Sequence, residues 1–384
     1  MSVYLDNNAT TPPAPEVVEC MRSCLEVDWG NPSSAHRVGI AARRRLDLAR
    51  NSVAELLGCD SREIIFTSGG TEAANLAIRG AFEQIRAANP RRTLLACAGT
   101  EHPAVLDSIH RLESAGAEIV TLPVDEDGLL ELAFFDQLLR ERGDQMALCS
   151  VMWANNETGV VQPIIEMGAR CREHGVVFHT DAVQWVGREP TSFRDLPIDL
   201  LSCSAHKFHG PKGAGALVVR KGLAITPAQH GGPQERERRG GTENVAAVAG
   251  FGTACDLAAD WLNQRDSRQL NEVQSRFEAR LLALHEGAVI NGSRAPRLWN
   301  TTNIAFPGLE AQMLVVILSE RGLAVSGGAA CASGSIEVSG VLGAMGLEPQ
   351  RAAGSLRLSL SRYTSEEDLE QAIEIFKSVL ALTR

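Results

Sequence analysis

The sequence predicts an α/β fold with a largely parallel sheet, joined to a smaller α+β unit. Three observations carry this. Short apolar runs alternate with helical patterns through the middle of the chain. Polar clusters follow the ends of several apolar runs, where open α/β sheets place their ligands. Beyond about residue 248 the texture changes to long helical patterns with isolated strands. At 384 residues the chain is large enough for one large domain and one smaller one.

Residues 64–67 read as a strand, followed by a helix from the Gly69-Gly70-Thr71-Glu72 turn to about residue 82. Further strands are predicted at 93–98, 117–122, 146–153, 176–179, 199–203 and 214–219, with helices at 102–115 and 163–174 among the segments between them. Residues 249–285 read as one or two long helices. A strand at 300–306, a helix at 309–321, a strand at 356–360 and a last helix at 365–381 complete the chain.

The net charge of −10 argues against general binding to nucleic acid or anionic membrane. The N-terminus carries neither a basic leader nor an apolar run, which predicts no signal peptide and a cytoplasmic protein. The apolar stretch 314–318 is far short of the ~20 residues a membrane span needs. Nine cysteines, an odd number without a CxxC pair, argue against a disulfide framework and structural zinc.

Each polar cluster admits a plain reading. Ser68-Gly69-Gly70-Thr71 is a strand-to-helix turn whose free N–H groups suit an anion, or an ordinary capped helix start. Asp181 ends an apolar strand. It could pair with a pyridinium nitrogen, or cap the next helix. Lys207 follows the strand at 199–203 amid Ser204, His206 and glycines, so it could be a Schiff-base amine rather than a solvated lysine. His102 could stack on a planar ring and work as an acid/base, and the Asn155-Asn156 turn could face a ligand hydroxyl. Cys331 sits in a run of tiny residues, 326–335, that cannot form a packed core; this reads as a mobile loop around a reactive thiol.

Taken together, these segments resemble the cysteine desulfurases, the NifS/IscS family of fold-type I pyridoxal 5'-phosphate (PLP) enzymes. Asp6-Asn7-Asn8-Ala9-Thr10-Thr11, Gly30-Asn31-Pro32-Ser33-Ser34-Ala35-His36, Arg239-Gly240-Gly241-Thr242-Glu243-Asn244 and the Arg357 segment extend the match over nearly the whole chain. The 6–11 and 151–159 stretches look more like the NifS branch. The resemblance implies a large PLP-binding domain over 16–260 with a seven-stranded, mostly parallel sheet flanked by helices. It also implies a small domain formed by 1–15 and 261–384 that carries the Cys331 loop.

The same resemblance implies site roles. Lys207 would carry the cofactor covalently, Asp181 would face the ring nitrogen, Gln184 the ring hydroxyl, and His102 the ring plane. Gly70, Thr71, Ser204 and His206 would hold the phosphate, and Thr242 would reach the phosphate of the other subunit of a homodimer. Asn155 and Arg357 would bind the substrate L-cysteine, Arg357 through its carboxylate. Cys331 would take the substrate sulfur as a persulfide, with Lys207 and His102 moving protons, and pass it to an iron–sulfur scaffold or another acceptor protein. Nitrogenase-related assembly, housekeeping cluster assembly and tRNA thiolation stay open as pathways, and Cys331 is a candidate transient cluster ligand. The loop departs from the family at Ala329, where Ser is usual. A fold-type I aminotransferase, a selenocysteine lyase and a PLP-containing assembly partner with little turnover are the rival readings.

Overall fold

The computed structural model describes residues 2–327 and 339–382. Seven strands form the central sheet, in the order Ile64–Thr67, Gly215–Val219, Leu200–Ser204, Val177–Asp181, Met146–Ser150, Leu94–Ala98, Glu118–Leu122. Gly215–Val219 runs antiparallel to both of its neighbours, and every other pairing is parallel. Most of these strands are apolar and buried along their whole length, as strands covered on both faces must be.

Successive side chains on a strand point to opposite faces, so one strand feeds two cores. Ile64 and Phe66 join the core that holds Val53, Leu57 and Phe251, while Ile65 joins Ala77, Ile78 and Phe82 on the other face. A third core gathers Val3 and Leu5 with Phe277, Leu281, Ile304, Phe306, Leu356 and Phe376. It covers an antiparallel sheet of Val289–Ile290, Thr301–Ala305, Ser355–Ser359 and Ser326–Gly327. The N-terminal strand Val3–Tyr4 pairs in parallel with Leu323–Ala324, and Asn7 N–H donates to Ser359 O.

The long helical stretch after residue 248 is two helices, Val245–Gln264 and Ser267–Leu282. They break at Arg265, whose backbone is extended, and Asp266 caps the second by accepting from Arg268 N–H and Gln269 N–H. The first packs into the core beside the large sheet, although it is long and apolar enough to cross a membrane by length and composition. Small residues seat it. A Cβ on Gly252 would lie 2.6 Å from Ala49 Cα, and one on Gly250 would lie 2.7 Å from Met21 Cγ. Its partners, the helices Pro15–Glu26 and Arg37–Leu57, were not singled out by the sequence pattern. Much of the buried stripe on the longer one is alanine, Ala42, Ala49 and Ala54, among many arginines, so its apolar period is faint.

Candidate active site

The carboxyl ends of the parallel strands and the starts of the helices that follow them surround a cavity of about 410 Å³. Gly70, Thr71, His102, Asp181, Gln184, Ser204, His206, Lys207 and Arg357 all line it. Asp181 is the last residue of its strand, Ser204 ends the next, and a 3-10 turn, Ala205–Lys207, carries the lysine inward. Arg357 comes from the other sheet, where it pairs in register with Ser326 and Asn303.

At one end of the cavity, the 19-residue helix Gly70–Ala88 begins without a side-chain cap, which leaves its first N–H groups open toward an anion. A Cβ on Gly70 would meet Val183 Cγ2 at 2.7 Å, so only glycine lets the backbone lie this close. Ser204 Oγ is buried with no partner. His206 Nδ1 lies 3.1 Å from Thr10 Oγ1, and burial, with Lys207 adjacent, pushes its pKa down to about 4. It is therefore a neutral hydrogen-bonding group at physiological pH.

Near the middle, Asp181 Oδ1 accepts from Val183 N–H at 2.9 Å. Burial raises the Asp181 pKa, and among the described residues no cation lies within ion-pair distance of it. Gln184 Nε2 donates to Asn8 O at 3.0 Å while its Oε1 is buried and unpartnered. Lys207 Nζ donates to Asn8 O at 2.6 Å and to Ala9 O at 2.9 Å. Burial, then Arg188 and Arg357, bring its pKa down to about 8. His102 is the N-cap of the helix Pro103–Arg111. Its Nδ1 accepts from Ala104 N–H at 3.0 Å, so the neutral ring carries its proton on Nε2. Burial lowers its pKa. Arg357 donates to Asp6 Oδ1 at 2.7 Å and to Asn156 O at 3.1 Å, and its buried Nε has no partner among the described residues.

Three expected site residues are not on the described wall of this cavity, each for its own reason. Asn155 is buried but not on the cavity wall. Its amide donates to Thr100 O and Met152 Sδ, and its Oδ1 accepts from Glu157 N–H and Thr158 N–H. That shapes the turn, and the neighbouring Asn156 and Glu157 reach the wall in its place. Thr242 is exposed in the loop before Val245–Gln264 and is not on the wall of this chain's cavity. Cys331 lies outside the described residues. Seven of the eight described cysteines are buried, and burial pushes the thiols of Cys59, Cys97 and Cys203 up to about 12, which keeps them protonated and inert.

In the sequence Asn8 stands only as part of a motif, without a role of its own. Its backbone oxygen receives Lys207 and Gln184. Its side chain donates to Thr301 Oγ1 at 2.9 Å and to Asn156 O at 3.1 Å, and accepts from Asn300 and Arg188. No local pattern announces such a hub, because its partners come from four distant segments.

The residues present fit pyridoxal phosphate. A helix start and a free Ser204 hydroxyl suit a phosphate, a buried carboxylate suits a ring nitrogen, the open Gln184 oxygen suits a ring hydroxyl, and a lysine of lowered pKa suits the aldehyde. The model of the class-V aminotransferase family matches residues 3–372. The chain belongs to that family. It is 45% identical to a cysteine desulfurase of Enterobacter agglomerans, covering all of this chain and 94% of the relative. It is 42% identical to the cysteine desulfurase NifS of Azotobacter vinelandii, covering all of this chain and 93% of that one. A solved NifS-like protein superimposes with a TM-score of 0.90 at 35% identity, covering both chains fully. The activity of this class-V enzyme is that of a PLP-dependent cysteine desulfurase.

Proposed function

We propose that this desulfurase converts L-cysteine to L-alanine by moving the sulfur onto Cys331 as a persulfide, with pyridoxal phosphate held by Lys207. The observation that carries the site assignment is the single cavity that gathers Lys207, Asp181, His102 and Arg357 beside the unpartnered Gln184 Oε1 and Ser204 Oγ. Bound pyridoxal phosphate supplies an electron sink for negative charge at the substrate α-carbon. Asp181 would face the ring nitrogen, Gln184 the ring hydroxyl, and Gly70, Thr71, Ser204 and His206 would hold the phosphate.

Arg357 orients the substrate by its carboxylate, since its free Nε extends a guanidinium already fixed by Asp6. Lys207 Nζ, set free when the substrate amine takes its place, removes the α-proton, and the backbone carbonyls of Asn8 and Ala9 lie within hydrogen-bond distance to orient it. His102 relays protons through Nε2. Cys331 thiolate attacks the substrate sulfur. The new S–S bond forms as the C–S bond breaks, its electron pair stays with the carbon fragment, and one proton added at the β-carbon with another returned to the α-carbon completes alanine.

Chain geometry supports Cys331 in this role. Ser326 and Gly327 line the cavity, and Cys331 follows Gly327 by four residues, a reach of at most about 14 Å. On the far side of that segment, Ser339 Oγ donates at 2.5 Å to Glu157, another wall residue. The persulfide then passes to an iron–sulfur scaffold or another acceptor protein. Thr242, exposed here, completes the phosphate site of a second subunit in a cytoplasmic homodimer. We take 16–260 as the large domain, and 1–15 with 261–384 as the small one.

The test is alanine and sulfide release from L-cysteine, with reductant, by the wild type and by Cys331→Ala. Both products from the wild type and neither from a variant that keeps its bound cofactor support the assignment. Undiminished release by the variant removes Cys331 from the reaction.

A further inference from the structure

A second cavity, of about 20 Å³, shares Lys207 with the first, and its other lining residues have no role in the reaction proposed above. Its lining includes Arg188, Lys207, His209, Trp261, Trp299 and Arg362. The wall is rich in donors that have nothing to donate to. Arg362 Nη1 and Nη2 and Trp299 Nε1 are buried without a hydrogen-bond partner among the described residues, and the Arg362 guanidinium meets only the Tyr363 ring, 5.1 Å from its centroid. Arg188 is 5% exposed and meets only neutral acceptors, Gln184 O at 2.7 Å and Asn8 Oδ1 at 3.3 Å. Among the described residues, neither Arg188 nor Arg362 has a carboxylate within ion-pair distance, although Arg265 and Arg357 close by in the fold do.

Guanidinium and indole N–H groups are donors only and cannot satisfy one another. A buried cation without a counter-charge is strongly unfavourable, so this cluster calls for an acceptor that also carries negative charge. Size narrows the choice. At about 20 Å³, against about 410 Å³ for the active-site cavity, this cavity favours a small anion over a larger one such as sulfate or phosphate. We infer that the cavity is a chloride site, in which one halide ion takes the free N–H groups of Arg362 and Trp299. The ion ties the segment after the strand Ser355–Ser359 to the segments that carry Arg188 and Lys207. It is a structural anion, distinct from the substrate and the cofactor phosphate, and its binding does not depend on the assignment of Cys331.

The test uses the holoenzyme. Crystals in sodium bromide, with diffraction collected at the bromine edge, are expected to show an anomalous peak in hydrogen-bond contact with the Arg362 guanidinium and Trp299 Nε1. An ordered water with no anomalous signal there overturns the proposal. In solution, the melting temperature is expected to rise saturably with sodium chloride but not with sodium gluconate at equal ionic strength. Arg362→Gln and the milder Trp299→Phe are each expected to weaken the apparent chloride affinity at least about tenfold. Equal melting in the two salts, or an unchanged chloride dependence in Trp299→Phe, counts against it even if Arg362→Gln does not fold.

Discussion

Lys207 Nζ donates to the carbonyl oxygen of Asn8 at 2.6 Å, across 199 positions of sequence. The same oxygen receives Gln184 Nε2, so one backbone carbonyl orients two residues of the cavity wall. The Asn8 side chain fixes that carbonyl by bonding to Thr301, Asn156, Asn300 and Arg188. The N-terminal segment thus forms part of the active-site wall.

Asn8→Ala removes these side-chain bonds while leaving the carbonyl. With each buried bond worth about 0.5–1.5 kcal/mol net, and with Arg188 left shorter of acceptors, the variant should lose about 2–4 kcal/mol of stability. It should also retain pyridoxal phosphate less well on dialysis. Denaturant unfolding and cofactor absorbance report the two effects. An unchanged midpoint with full cofactor retention would show that the knot is dispensable.

Lys207 gives a pH prediction. Its pKa is brought down to about 8 from 10.5 by burial, and only the neutral amine attacks an aldehyde. Reconstitution of the apoenzyme with pyridoxal phosphate should therefore accelerate as pH rises through about 8 and level off well below 10.5. Linkage has the matching sign. Between these two values the unfolded chain binds the extra proton, so this group makes the apoenzyme more stable as pH rises across that window. A rate still climbing beyond pH 10 would contradict the burial-driven shift.

Arg357 lines the cavity and holds Asp6 and Asn156 with its two terminal nitrogens, while its Nε has no partner among the described residues. Arg357→Lys keeps the charge but loses the planar fork. KM for L-cysteine should rise about 10–100-fold, the equivalent of one charge-assisted hydrogen bond, while cofactor content stays normal. Steady-state kinetics with absorbance at matched protein concentration decide it, and an unaltered KM removes Arg357 from carboxylate binding.

The packing of Val245–Gln264 on Arg37–Leu57 depends on Gly252. A methyl group there would sit 2.6 Å from Ala49 Cα, which is backbone and cannot rotate aside. Gly252→Ala gains about 1 kcal/mol of helix propensity but forces the helices apart, at a cost of about 1–3 kcal/mol. The balance should lower the melting temperature of the variant. A higher melting temperature would mean that this helix pair has slack.

The roles legible in the sequence were those written into local pattern. Apolar runs ending at Asp181 and Ser204 placed both at strand ends, and the glycines at 69–70 marked a helix start. Asn155 shows where such reading stops. It has the right residue type in the right turn, yet its amide is consumed by Thr100, Met152, Glu157 and Thr158. Only coordinates distinguish an amide facing a ligand from one facing its own backbone.

What the sequence by itself determined is the alternation of strand and helix, the residue types at the strand ends and the kinship they imply. These depend on periodicity and on chemistry within a few residues. Only the tertiary structure decided that Asp6 would clamp Arg357, 351 residues away, that Asn8 would tie Lys207 to Thr301, and that Arg188 and Arg362 would share a buried pocket. Such contacts arise when independently formed elements dock and bury their polar groups together. Which donor then meets which acceptor depends on packing across hundreds of residues, and no local spacing encodes it.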